Sequence, residues 1–286
     1  MPPISSKIVF AIVCYLHILF YFECPQNPSY ILEAQTWFHD PLSKIEAHLF
    51  SLPAPKRCRV FLAGANPFAL KSKRLLEIAG LIYKHFPTCK TIGCFARVTD
   101  VTSKTDEELA ALREAGYTGL TIGIETGDDK ALAFMNKGYA AQDIVAQCAR
   151  LDAADIAYAF FYLAGISGKG HGIEGARLTA AVCNQTRPSL IGANILTIYK
   201  NSELYQEILA GNWEEETEIE KYQEIKALVE DLEIPVEYAM LGASNPVMMQ
   251  GRLPEQRTQI IAALDRVIEE IGEDRLRHYR TNLKHL

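Results

Sequence analysis

The sequence predicts an α/β fold in which buried, largely parallel strands alternate with amphipathic helices. Short apolar runs rich in β-branched and aromatic residues recur along the chain, and apolar residues at helical spacing follow each of them. The spacing between strands is that of a βαβ unit of about 30 or more residues. About six such units indicate a partial (β/α)6 barrel of the TIM-like type. An open doubly wound sheet is the alternative that periodicity leaves open.

Five apolar runs carry the strand prediction, because near-continuous burial is typical of strands in a covered parallel sheet. They span residues 59–63, 91–96, 119–125, 156–164 and 190–198. Helical patterns occupy residues 41–52, 70–86, 105–116, 128–135, 141–152, 174–185 and 202–210. Thr105 and Glu108 have the spacing of a capping box, in which hydroxyl and carboxylate satisfy free backbone N–H groups at a helix start.

The composition of the chain changes at Trp213, and we expect three regions. Residues 1–40 form an atypical N-terminal segment, residues 41–212 form the barrel, and residues 213–286 form a mainly helical extension. The extension predicts a short strand over residues 236–240. It also carries a strongly amphipathic helical pattern, which we expect to pack across the barrel wall.

The extension opens with a run of acidic residues, which are Glu214, Glu215, Glu216, Glu218 and Glu220. Negative charge is favoured near the N-terminus of a helix. The run therefore predicts a solvated helix face rather than a site.

Composition and charge exclude several classes of protein. The net charge is −6 and no basic stripe is present, so we expect no nucleic-acid partner. The seven cysteines are odd in number and scattered, which favours a reducing cytoplasm over a disulfide framework. No CxxC pair occurs, so a zinc ribbon is not expected.

The N-terminal segment contains an apolar stretch, residues 8–22, that is interrupted only by His17. It is shorter than the roughly 20 residues that a membrane-spanning helix needs. No small-residue cleavage site follows it, as an export signal would require. We interpret it as a buried strand, with an export or membrane segment as the alternative.

Charged and polar residues at predicted strand ends are the candidate site residues, because α/β chemistry sits at the C-terminal ends of strands. Glu125 ends a buried strand and is a site residue or a structural partner, since an unpaired buried carboxylate is costly. Lys137 meets an anionic ligand group or is an ordinary exposed lysine. Arg97 is a ligand contact or an ion-pair partner. The turn 64–66 brings backbone close to a ligand or only connects strand to helix.

Four segments, in this order and spacing, resemble the radical S-adenosylmethionine proteins. The similarity is to the branch related to oxygen-independent coproporphyrinogen oxidase-like and elongator-like members. The segments are residues 59–64, the strand ending in Glu125-Thr126-Gly127, residues 135–138, and the strand running into residues 165–168.

The resemblance implies a partial barrel that holds a 4Fe-4S cluster on three cysteines of a CxxxCxxC loop. It implies that S-adenosylmethionine binds the fourth iron and is cleaved by one electron to a 5′-deoxyadenosyl radical. A small-molecule substrate, which the sequence does not identify, and a flavodoxin- or ferredoxin-like electron donor are implied partners.

The resemblance also implies a set of cofactor contacts: Gly64, Ala65, Asn66, Arg97, Glu125, Lys137 and Gly168. In this set the turn of residues 64–66 contacts the methionine amino group. Arg97 and Glu125 are ligand contacts at strand ends, and Lys137 meets the methionine carboxylate.

The chain departs from the family where the cluster loop belongs. Cys24 matches the first ligand, but Pro28 and Ile31 occupy the second and third positions. Thiolates are needed to hold such a cluster, so we predict little or no cluster in this chain. A corrupted or frame-shifted 5′ coding region is our hypothesis for the departure. A non-catalytic barrel that binds S-adenosylmethionine or a partner is the alternative function.

Overall fold

The computed structural model describes residues 30–33, 42–51, 58–63 and 66–283. The described chain forms two compact units. The first unit comprises residues 30–33, 42–51, 58–63, 66–123 and 146–159, and the second comprises residues 124–145 and 160–283.

The first unit is built on parallel strands that pair in chain order. Its strands are β1 (Tyr30–Glu33), β2 (Cys58–Ala63), β3 (Cys89–Ala96) and most of β4 (Tyr117–Glu125). Its helices are α1 (Leu42–Ser51), α2 (Ser72–His85), α3 (Val98–Thr102), α4 (Asp106–Glu114) and the end of α6 (Ala141–Ala153). A short 3-10 turn, Pro67–Ala69, follows β2. The core forms because alternate strand residues such as Ile92, Cys94 and Leu120 are buried against the apolar helix faces.

The second unit continues the parallel pattern and ends in one antiparallel strand. Its strands are β5 (Ala157–Ala164), β6 (Leu190–Ile195), β7 (Val236–Met240) and β8 (Met249–Leu253). Its helices are α5 (Asp129–Phe134), α7 (Gly172–Cys183), α8 (Glu203–Leu209), α9 (Glu218–Asp231), α10 (Arg257–Arg266) and α11 (Glu273–Thr281). Strands β5, β6 and β7 pair in parallel, whereas β8 runs antiparallel to β7.

The predicted alternation is confirmed, since each of the six strands β1–β6 in the described chain is followed by a helix before the next strand. The capping box at α4 is also confirmed. Thr105 Oγ1 accepts from Glu108 N at 3.2 Å, and Glu108 Oε2 accepts from Thr105 N at 2.9 Å.

The prediction of a solvated acidic face before α9 was wrong. Glu216 is 2% exposed and Glu218 is wholly buried, although Glu214 is exposed. Glu218 can be buried because Lys221, Arg277 and Arg280 form ion pairs with it, and Glu216 Oε1 accepts a hydrogen bond from Gly172 N. The sequence predicted exposed glutamates because it does not show the partners that each of them meets in the fold.

Four further elements differ from the sequence-based expectation. Strand β8 and helix α11 were not predicted, and β6 ends at Ile195 rather than at residue 198. The amphipathic pattern over residues 260–271 begins as α10 but passes into a π-helical turn at Val267–Ile271. The region after Trp213 therefore supplies two strands, one of them paired in parallel with β6, as well as its helices.

The apolar stretch of residues 8–22 lies outside the described residues, so its interpretation stays a prediction. Among the residues that the structure describes, none of the helices has both the length and the hydropathy needed to cross a membrane.

Candidate functional site

Glu125 ends β4 in an unusual backbone conformation. Its φ is +60°, which lies in the left-handed region, and its side chain is almost completely buried. A residue with a Cβ loses about 1–2 kcal/mol in this conformation. Such strain persists where surrounding structure enforces it, and it concentrates at functional sites. The strand end thus holds the carboxylate in one enforced direction.

Lys137 forms an ion pair with Glu125. Its Nζ lies 3.2 Å from Glu125 Oε1, and the two side chains are 16% and 6% exposed. The chain reaches this place because α5 ends in two left-handed residues, Asn136 with φ +51° and Gly138 with φ +78°. The amide of Lys137 donates to Leu132 O at 3.0 Å, which closes the helix end.

The ion pair excludes one sequence alternative for Lys137, and its contact with a ligand stays a prediction, as it does for Glu125. Lys137 is not an ordinary exposed lysine, because it returns to the end of β4. Glu125 has a structural partner in this structure, and its contact with a ligand stays a prediction. The pair places one anion and one cation side by side at a strand end.

The two residues after Glu125 anchor the strand end on α7. Gly127 N donates to Thr179 Oγ1 at 2.7 Å, and the hydroxyl groups of Thr126 and Thr179 lie 3.2 Å apart. A Cβ built on Gly127 would lie 2.7 Å from Leu178 O and from Thr179 Cα. Only glycine therefore allows this approach of strand end and helix.

A second group of predicted residues lies in the first unit. Asn66 Nδ2 donates to Asp100 Oδ2 at 2.5 Å, and the same oxygen accepts from Arg97 N at 2.7 Å. The structure thus connects Asn66 and Arg97 through Asp100, which the sequence analysis missed. The Arg97 side chain itself is exposed. Gly64 and Ala65 lie outside the described residues.

Lys104 holds the turn that follows Asn66. Its buried ammonium donates to Phe68 O at 2.7 Å and to Leu70 O at 3.2 Å, and it lies 4.4 Å from the centre of the Phe68 ring. Burial lowers the pKa of Lys104, although Asp100 opposes that shift. Asp100 lies in α3, and Lys104 follows the end of that helix. The two residues are four apart, a spacing that brings side chains together. That spacing was the only signal by which the sequence could have revealed them.

Gly168 lies in the loop after β5 and has a local structural role. Its φ is +82°, and a Cβ built there would lie 2.8 Å from Trp213 Nε1. The next residue, Lys169, donates its amide to Glu214 O at 2.9 Å. Only glycine fits here, because a side chain would collide with the 213–214 segment. The cofactor contact of Gly168 stays a prediction.

A buried cluster of charged residues in the second unit was missed from the sequence. Tyr162 donates its hydroxyl hydrogen to Glu224 Oε1, and Glu216 Oε1 and Glu224 Oε2 both approach Gly172. Burial, with the charge of Glu216 next in size, raises the pKa of Glu224 well above its ordinary value. Burial also raises the pKa of Glu216. The spacing of Glu216 and Glu224, eight residues apart, gave no sign of this contact because Glu216 precedes α9.

Basic residues complete this cluster. Lys221 Nζ lies 2.6 Å from Glu215 Oε1 and 3.2 Å from Glu218 Oε1. Arg277 lies 3.2 Å from Glu215, and Arg280 lies 3.1 Å from Glu218. Glu215 and Glu218 are therefore neutralised from both α9 and α11, whereas in the described part of the chain neither Glu216 nor Glu224 forms an ion pair.

The described residues do not fit an iron–sulfur cluster. Cys89, Cys94, Cys148 and Cys183 are buried and form no disulfide. Across residues 30–33, 42–51, 58–63 and 66–283, no three His, Cys, Asp or Glu side chains are grouped to hold a metal. Cys24 and Pro28 lie outside the described residues. Ile31, assigned to the third ligand position, lies in β1 opposite Phe61 of β2.

Comparison with known proteins gives no match to a family model and none to a curated protein. The solved structures that are similar to this chain include Elp3 and HemN. Elp3 of the archaeon Methanocaldococcus infernus, without its residues 1–46, has a TM-score of 0.57 and 12% identity over 83% of this chain. The coproporphyrinogen III oxidase HemN of Escherichia coli, a radical SAM enzyme, has a TM-score of 0.50 and 14% identity over 62% of this chain.

The chain spans 62% of the Elp3 chain and 41% of the HemN chain, less than two thirds of either. At this identity the likeness concerns the fold. It confirms the predicted α/β class with a partial barrel. This chain therefore has an α/β fold with a partial barrel that is similar to the folds of Elp3 and HemN.

Proposed function

We propose that this chain is a member of the radical S-adenosylmethionine superfamily and binds S-adenosylmethionine through Glu125 and Lys137. One observation carries the proposal: a strained, buried carboxylate at the end of a parallel strand is paired with a lysine returned from the next helix. The order of segments and the fold support the superfamily assignment.

The chemistry of the ion pair suits the methionine end of S-adenosylmethionine, which carries an ammonium and a carboxylate. Lys137 donates to the ligand carboxylate, and the Glu125 carboxylate accepts an N–H or O–H from the ligand. Without ligand the two side chains neutralise each other, so neither charge is buried alone. Gly64, Ala65, Asn66, Arg97 and Gly168 are further proposed contacts, on resemblance.

We assign no radical step to this chain. A cluster needs thiolate ligands, and Pro28 and Ile31 stand at two of the three expected positions. The second candidate function, a non-catalytic barrel that binds S-adenosylmethionine or a partner, is favoured by that departure. A flavodoxin- or ferredoxin-like electron donor, and a small-molecule substrate, belong to the catalytic alternative.

Calorimetric titration of the purified chain with S-adenosylmethionine tests the binding site. We expect saturable binding by the wild-type protein and at least about tenfold weaker binding by Glu125→Gln and by Lys137→Met, which each lose a charge-assisted hydrogen bond. Lys130→Met is the matched control, because Lys130 is an exposed lysine of the neighbouring helix α5. The proposal would be wrong if the wild type did not bind S-adenosylmethionine, or if Lys130→Met weakened binding as much as the other two substitutions.

Anaerobic reconstitution with iron and sulfide tests the cluster separately. We expect iron and sulfide far below one cluster per chain and no broad visible absorbance. A full complement of both in the purified protein would reject the non-catalytic candidate and restore the catalytic one.

A further inference from the structure

Two carboxyl groups hold the two ends of the glycine-rich loop that follows β5. At the start of the loop, Gly165 N donates to Glu224 Oε2 at 2.7 Å. At its end, Gly172 N donates to Glu216 Oε1 at 3.0 Å. Because α9 supplies one acceptor and the segment just before it the other, a single short stretch of chain fixes both ends of the loop.

The hydrogen bonds around this acid pair leave one oxygen without a donor. Tyr162 and Gly165 donate to the two oxygens of Glu224, and Gly172 donates to one oxygen of Glu216. The other oxygen, Glu216 Oε2, is buried and accepts no hydrogen bond from the described residues. The two carboxyl groups nevertheless converge, because Glu216 Oε1 and Glu224 Oε2 both approach Gly172. Two charged carboxylates placed side by side repel each other unless they hold a proton between them.

Gly172 shows how closely the two carboxyl groups approach the loop. A Cβ built on Gly172 would overlap Glu216 Oε1 and lie 2.7 Å from Glu224 Oε2. Both acids therefore converge on the same backbone position, at the first residue of α7. A side chain there would separate them from the loop.

The remaining charged and titratable neighbours do not neutralise a second negative charge. Lys221 and Glu220 face Glu216 from α9, and Tyr238 of β7 faces the Tyr162 hydroxyl. Lys221 is already paired with Glu215 and Glu218. The two tyrosines are neutral donors, and Glu220 adds negative charge. The surroundings thus favour one negative charge on the pair, not two.

We propose that Glu216 and Glu224 share a single proton, and that this acid–carboxylate pair clamps both ends of the loop 165–172. Glu224 carries the proton and shares it with the Glu216 carboxylate. Loss of that proton turns the contact repulsive and releases the Gly165 and Gly172 amides. The clamp does not depend on the proposed binding of S-adenosylmethionine.

Burial raises the pKa of both acids, so the sign of the pH dependence is fixed. The folded protein keeps a proton that the unfolded chain loses above the ordinary glutamate pKa. The unfolded state then binds fewer protons, and stability falls as pH rises through that window.

The test compares urea unfolding of three proteins between about pH 5.5 and 8, above the ordinary glutamate pKa. Glu224→Gln replaces the protonated acid by an amide of the same shape that also donates to Glu216. Relative to this variant, the unfolding constant of the wild type should rise about tenfold per pH unit, the effect of one proton. Glu230→Gln, an exposed glutamate of the same helix, should follow the wild type. Equal slopes for wild type and Glu224→Gln would overturn the shared proton.

Two measurements on the wild type alone keep the proposal testable if Glu224→Gln fails to fold. Infrared difference spectra should show a protonated carboxyl band at neutral pH that disappears on alkaline titration. Amide hydrogen exchange at Gly165 and Gly172 should lose protection over the same titration, while strand amides of β5 keep theirs. A missing band overturns the shared proton, and unchanged protection at both glycines overturns the clamp.

Discussion

The ammonium of Lys221, which is fully enclosed, lies 2.6 Å from the carboxylate of Glu215. It also neutralises Glu218, whose side chain is wholly buried. Lys221→Met removes this charge and leaves a buried carboxylate with less compensation. We expect a loss of about 3–5 kcal/mol in the free energy of unfolding, measured by chemical denaturation.

Lys226→Met on the same helix is the matched control for that loss. Lys226 lies 2.6 Å from Asp265, but its side chain is 29% exposed. Exposed pairs contribute at most about 1 kcal/mol. If both lysine variants lost the same stability, the burial argument for Lys221 would be wrong.

Gly127→Ala should destabilise the protein by about 2 kcal/mol or more, because the added methyl group meets backbone of α7 that cannot move away easily. Thermal and urea unfolding measure the effect. Gly80→Ala provides the comparison, since a Cβ there meets nothing within 4 Å on an exposed face of α2. That substitution should stabilise the helix by about 1 kcal/mol. Loss of stability in Gly80→Ala would show that the two glycines are not distinguished by packing.

The left-handed backbone of Glu125 predicts an unusual order among its variants. Glu125→Asn and Glu125→Val both remove the ion pair with Lys137, so their difference reports the backbone. Asparagine adopts positive φ readily, whereas a β-branched residue does not. Glu125→Val should therefore be less stable than Glu125→Asn by about 1–2 kcal/mol, as measured by unfolding in urea. Equal stabilities of the two variants would contradict backbone strain at Glu125.

The buried thiols should be unreactive in the folded protein. Burial raises the pKa of the Cys148 thiol to about 12, and burial raises that of Cys94 as well. Thiol reagents attack the thiolate. At pH 9 we expect Cys148 to be labelled at least about 100-fold more slowly in the native protein than in urea. Mass spectrometry of the labelled peptides checks this, and similar rates in both states would contradict it.

The elements that the sequence predicted are those whose signals are local. The apolar runs became β2 to β6, and the spacing of Thr105 and Glu108 became a helix cap. The segment 135–138 likewise contains its own helix ending, which carries Lys137 back to Glu125. Such features depend on residues within about one turn of helix of each other.

The features that were missed depend on partners that are distant in the chain. Glu218 is buried because Arg280, 62 residues later, reaches it. Asp100 joins the site because Asn66, 34 residues earlier, donates to it. Strand β8 was missed because its residues, Met-Gln-Gly-Arg-Leu, are only weakly apolar, and its place is set by pairing with β7. Pairing and burial of this kind leave no periodic pattern in the sequence.

The long sequence separations in the acid cluster have a consequence for synthesis on the ribosome. The hydroxyl group of Tyr162 hydrogen-bonds to Glu224, 62 residues later, and the carbonyl group of Leu196 hydrogen-bonds to Arg280, 84 residues later. Until those partners are synthesised, the Tyr162 hydroxyl and the Leu196 carbonyl have water as their partner. The second unit therefore completes its hydrogen bonding only when translation has reached the last helix, and a nascent chain stalled before residue 224 carries an unfastened loop after β5.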